Sequence, residues 1–152
     1  MLSAQLAACS DVTVLQTSTP ISKEEFAAKR LGIPLPSSAS SIEFYRKTGG
    51  LQQLDFYLRF QVAPEEADAA VERIIDDNNR MMKRSLSYPK TEISVTSVPK
   101  VPLPNGASAD GVPGWWRSQQ IVRGFVRGED VSYAPTIWYD ADRSIIFLRQ
   151  GD

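Results

Sequence analysis

Apolar side chains at every second position from Leu54 to Val62 constrain this chain more than any other feature. Leu54, Phe56, Leu58, Phe60 and Val62 alternate with Asp55, Tyr57, Arg59 and Gln61. Successive side chains of a strand point to opposite faces, so this segment is a strand with one face on a core and one wetter. A helix would scatter the same residues around its axis. Just upstream, Ile42 and Phe44 alternate with Glu43 and Tyr45 and run into Thr48-Gly49-Gly50, which reads as a turn. The two segments predict an antiparallel hairpin.

A sheet with one apolar face needs a second layer, and two helical segments are available to supply it. Ser22-Lys23-Glu24-Glu25 has the form of a capping box, in which serine and glutamate satisfy each other's backbone amides. The helix it opens runs to about Leu31, stopped by Gly32 and Pro34. The main helix opens at Pro64 with Glu65, Glu66 and Asp68 at its positive end. Its core stripe is Ala67, Val71, Ile74 and Ile75, joined later by Met81 or Met82, with Asn78 expected where burial ends.

Further strands are expected over Glu92 to Val98, Ile121 to Val126, Ser132 to Tyr139 and Ser144 to Leu148. Gly128-Glu129-Asp130 and Asp140-Ala141-Asp142-Arg143 supply turns, with Asp140 and Asp142 as turn residues. Between the strands, Pro99 to Gly114 is a long irregular loop rich in proline and glycine. The fold class expected is α+β, an antiparallel or mixed sheet with two helices packed on one face. Residues 1–21 read as a truncated signal remnant and flexible tether, and 22–152 as a single globular α+β domain.

Composition narrows the chemistry. The chain has no histidine and one cysteine, Cys9. Imidazole catalysis, histidine triads and histidine metal sites are therefore excluded, as are intrachain disulfides and thiolate clusters. Lys+Arg total 17 against 18 for Asp+Glu, a net charge of −1, without the basic excess that a nucleic-acid partner asks for. No nucleic-acid partner, metal or cofactor is expected. No stretch approaches the ~20 apolar residues needed to span a bilayer as a helix.

Leu6-Ala7-Ala8-Cys9 resembles a lipobox, the cleavage and lipidation site of bacterial lipoproteins. The resemblance implies lipidation at Cys9, with the membrane as partner through that anchor and Ser10 to Pro20 as the tether. Only eight residues precede Cys9, Ser3 and Gln5 interrupt them, and the first cation is Lys23. A secretion signal needs a basic start and an apolar run of ~7–15 residues, so the signal is read as truncated. The body, through Leu31-Gly32-Ile33-Pro34-Leu35-Pro36 followed by a Gly-Gly hairpin, resembles uncharacterised secreted proteins of bacteria. The location implied is the cell envelope, or the cytoplasm if Cys9 is an incidental thiol.

Two clusters are candidate binding residues. Trp115 and Trp116 are adjacent at the end of the long loop, and tryptophan is enriched at contact hot spots. The plainer alternative is that one packs beneath the loop and the other covers the sheet edge. Asp55, Tyr57 and Arg59 line the polar side of the best strand, with Glu43 and Tyr45 across the hairpin. They suit a small polar ligand, or equally a solvated face with cross-strand ion pairs. Asp76-Asp77-Asn78-Asn79 lacks the spacing and glycine of a calcium loop and reads as an acidic helix face.

No nucleophile elbow, phosphate-cradling loop or carboxylate pair of recognisable context is present. The reading is a non-catalytic envelope lipoprotein that binds a protein or cell-wall partner. The alternatives are a small hydrolase or lyase using carboxylates and tyrosine, and an immunity or inhibitor protein.

Overall fold

The alternating segment Leu54–Gln61 forms an inner strand of the sheet, paired on both sides. The computed structural model describes residues 13–17, 33–48, 54–94, 115–116, 120–128 and 134–151. Its elements are β1 (Thr13–Thr17), β2 (Ser40–Thr48), β3 (Leu54–Gln61), α1 (Ala67–Met82), β4 (Lys90–Ile93), β5 (Gly124–Arg127), β6 (Thr136–Asp140) and β7 (Ile145–Gln150). The strands form one seven-stranded sheet in the order β1-β2-β3-β7-β6-β5-β4, with every adjacent pair antiparallel. The sheet is antiparallel, not mixed. It consists of two meanders: β1-β2-β3, and β4-β5-β6-β7 returning so that β7 pairs with β3. Helix α1 carries the chain from the centre to the far edge.

Register decides which residues share a face. Phe44, Leu58, Leu148 and Ile137 stand in one cross-strand row. Phe60, Ile146, Tyr139 and Phe125 stand in another. Both rows belong to the buried core that α1 covers with Ala67, Ala70, Val71, Ile74 and Ile75. Each buried Leu, Ile or Phe side chain contributes about 1.5–3 kcal/mol, so this face holds the fold together.

The helix begins with a 3-10 turn at Pro64–Glu66. It ends in a Schellman motif: the Arg84 amide donates to Asn79 O at 2.8 Å and the Lys83 amide to Arg80 O at 3.3 Å. Lys83 takes the left-handed conformation with φ 51°. Asn79 then donates to Leu86 O at 2.9 Å and accepts the Leu86 amide at 3.2 Å, pinning the chain as it leaves.

Several expectations need correction. Within the stretch read as a tether, Thr13–Thr17 is an edge strand paired to β2. Asn78 is, as expected, the last buried residue of α1, and at 6% exposure its Oδ1 accepts the Tyr88 hydroxyl at 3.1 Å. Strand β5 starts at Gly124 instead of Ile121, after a bend at Arg123. Ser144 belongs to the β6–β7 turn, with φ 55°, and not to β7. One helix is present among the described residues. The helix expected over Ser22 to Leu31, the lipobox with Cys9, the strand residues 95–98 and the loop 99–114 lie outside them.

At the β6–β7 turn the buried Asp140 carboxylate accepts the Asp142 and Arg143 amides at 3.0 and 3.1 Å and the Arg143 guanidinium at 2.5 Å. Opposite it, Gly124 has φ +153°, and a Cβ there would sit 1.8 Å from Tyr139 O.

Candidate functional site

The sheet has a second face, and the residues singled out for binding meet there. Pairing puts Tyr45, Tyr57 and Arg149 in one row. It puts Glu43, Arg59, Phe147, Trp138 and Val126 in the next. Over these rows lies the Trp115-Trp116 segment.

Trp116 is buried at 4% exposure. Its ring stands edge-on to Tyr57 at 5.0 Å, Phe147 at 5.4 Å and Trp138 at 5.5 Å between centroids. Such edge-to-face pairs place the positive ring edge on a negative face and add about 0.5–1.5 kcal/mol each beyond area. Tyr45, Ile93 and Ile121 complete this second apolar cluster. Trp115 is only half-buried, with its ring 6.1 Å from that of Trp116. Trp116 thus serves a surface only by holding Trp115 and the sheet beneath it in place.

The charged residues form two ion pairs beside the aromatic cluster. Arg59 Nε lies 3.2 Å from Glu43 Oε2, and its Nη1 donates to Trp115 O at 3.5 Å. Arg149 Nη2 donates to Asp55 Oδ1 at 3.2 Å, and its guanidinium sits 5.9 Å from the Tyr57 ring centre. All four charged side chains keep between 20% and 35% of their surface exposed. Burial raises the Tyr57 hydroxyl above its ordinary value of 10.0, and the nearby Arg149 charge only partly opposes that.

Hydrogen-bonding capacity is left over on this face. Trp138 Nε1 and Arg149 Nε are buried and find no hydrogen-bond partner among the described residues. Glu43 Oε2, although close to Arg59, is not aligned for one either. Buried polar atoms without partners are uncommon and costly, and these three stand on a single face.

The structure therefore brings together Asp55, Tyr57, Arg59, Trp115 and Trp116, the cross-strand Glu43 and Tyr45 included. Sequence reasoning did not foresee Arg149 and Trp138, which arrive from β7 and β6. Their signal was the alternation of Ile145, Phe147 and Arg149, which marks one face but not which strand stands beside it. Cys9 lies outside the described residues. Among the described residues no group of three or more acidic or cysteine side chains is placed to hold a metal ion, and no helix is long and apolar enough to cross a membrane. The chain matches no protein-family model, no curated protein and no solved structure.

Proposed function

We propose that this chain is a non-catalytic binding module of the bacterial cell envelope, anchored by a lipid on Cys9, that grips a protein or cell-wall partner with the second face of its sheet. One observation carries the binding reading. Aromatic area, two part-exposed arginine–carboxylate pairs and three unsatisfied polar atoms occupy one face. That mixture of anchoring rings and oriented donors is what contact surfaces use. Catalysis by the same residues is disfavoured. A tyrosine base needs a lowered pKa, whereas that of Tyr57 is raised, and each carboxylate is already held by an arginine. The envelope location rests on Leu6-Ala7-Ala8-Cys9 alone. A second helix over Ser22 to Leu31, packed beside α1, completes the proposed fold, and its capping box is the support for it.

Cosedimentation with purified bacterial sacculi and with envelope protein fractions tests the binding surface. Asp55→Asn and Arg59→Gln should each weaken capture about tenfold while leaving the thermal midpoint within a few degrees. Capture equal to that of the parent chain in both variants would discard this face. Intact-mass measurement after expression in a bacterium from the native locus tests the anchor: a mature N-terminus at Cys9 bearing acyl chains is expected, and an unmodified thiol removes the envelope assignment.

A further inference from the structure

On the opposite side of the sheet a cavity of about 200 Å³ opens where the C-terminal half of α1 meets the Ile33-Pro34 segment and the sheet. Its walls are mostly apolar, formed by Ile33, Pro34, Ile74, Pro135 and Leu148, with Gln150 beside them. Met81, 63% exposed, stands at its mouth. One polar group faces it from a buried position. Asn78 lines the cavity at 6% exposure. Its Oδ1 accepts the Tyr88 hydroxyl, and its amide NH2 has no partner among the described residues. A donor left open beside an apolar space is the arrangement that fixes the orientation of a small ligand.

We propose that this cavity binds a small uncharged aromatic molecule carrying a carbonyl acceptor, its ring between Ile74 and Leu148 and its carbonyl on Asn78 Nδ2. Size sets the ring. An aliphatic cavity of about 150 Å³ admits benzene, so this one has room for a ring plus a substituent of two or three heavy atoms. Charge is excluded because Asp77 and Arg80 at the rim are paired with each other, and a buried ion without a partner is costly. The Met81 thioether at the mouth favours an aromatic edge.

Benzamide titrated into the ¹⁵N-labelled full chain, followed by two-dimensional NMR, tests the site. Saturable shifts are expected at the Asn78 side-chain amide, Ile74 and Leu148. Asn78→Asp keeps an acceptor for Tyr88 and removes the donor. It should weaken benzamide about five- to tenfold while leaving benzene unchanged. Met81→Trp alters an exposed residue and fills the mouth, so it should abolish binding in a folded protein. Absence of saturable shifts up to tens of millimolar benzamide, shifts centred elsewhere, or undiminished binding by Met81→Trp each overturns the proposal.

Discussion

Single atoms decide the tightest points of this molecule. At Gly124 a methyl group would meet the Tyr139 carbonyl oxygen at 1.8 Å, in a backbone conformation that L side chains rarely adopt. No rotamer relieves a Cβ clash with backbone, so β5 must leave β6. Gly124→Ala is therefore expected to destabilise by about 3 kcal/mol or more, read as a lowered urea midpoint; a loss below about 1 kcal/mol would mean that the strand pairing there is loose. The Tyr57 hydroxyl offers a second check. Its folded pKa is raised above 10.0, first by burial. The stability it contributes is thus complete below pH 10 and declines as pH rises through the folded value. Tyr57→Phe should flatten that alkaline decline, and an unchanged slope between pH 9 and 11 would place the hydroxyl in water.

Elements here are joined by side chains that sequence periodicity does not reveal. Glu66, at the start of α1, accepts the Ser38 hydroxyl at 2.5 Å, the Ser38 amide at 3.4 Å and the Ser37 hydroxyl at 3.3 Å. The Ser38 hydroxyl in turn accepts the Ala63 amide at 3.0 Å. These bonds, the Ser38 hydroxyl first, lower the Glu66 pKa below 4.5. A lowered carboxylate pKa gives stability that is present above pH 4.5 and lost as pH falls through the folded value. The stability gap between the parent chain and Glu66→Gln should therefore close on acidification below pH 4.5; a gap constant from pH 7 to pH 3 would rule out the linkage. Glu66 was legible from the sequence as an acid at a helix start, but its partners, 28 and 29 residues away, were not. The same limit holds for the sheet. Alternation told which residues of β3 share a face, and so grouped Asp55, Tyr57 and Arg59 correctly. It did not tell that β7 lies beside β3, because strand order depends on a crossover through α1 that leaves no local pattern. Asn78 was legible as the last buried position of the helix, but its partner Tyr88, ten residues on, was not.

At the scale of the whole molecule, one sheet serves two apolar clusters, and the same strands feed both. Leu58 and Phe60 face α1 while Tyr57 lies under Trp116. Losing either layer therefore exposes the back of the other, which makes unfolding a single event for the whole sheet. The chain also separates its own reporters. All three tryptophans, Trp115, Trp116 and Trp138, belong to the second face, and the helix of the described residues packs on the first. Tryptophan fluorescence thus follows one face and the helical circular dichroism band the other. Urea transitions by the two probes should coincide, and Leu58→Ala, at a fully buried position, should move both midpoints together by an amount equivalent to about 2–5 kcal/mol. A fluorescence midpoint clearly below the dichroism midpoint would mean that the Trp115-Trp116 segment lifts from an intact sheet. The buried donors of Trp138 and Arg149 would then be uncovered without unfolding, and the second face would act as a surface that opens to its partner instead of one already formed.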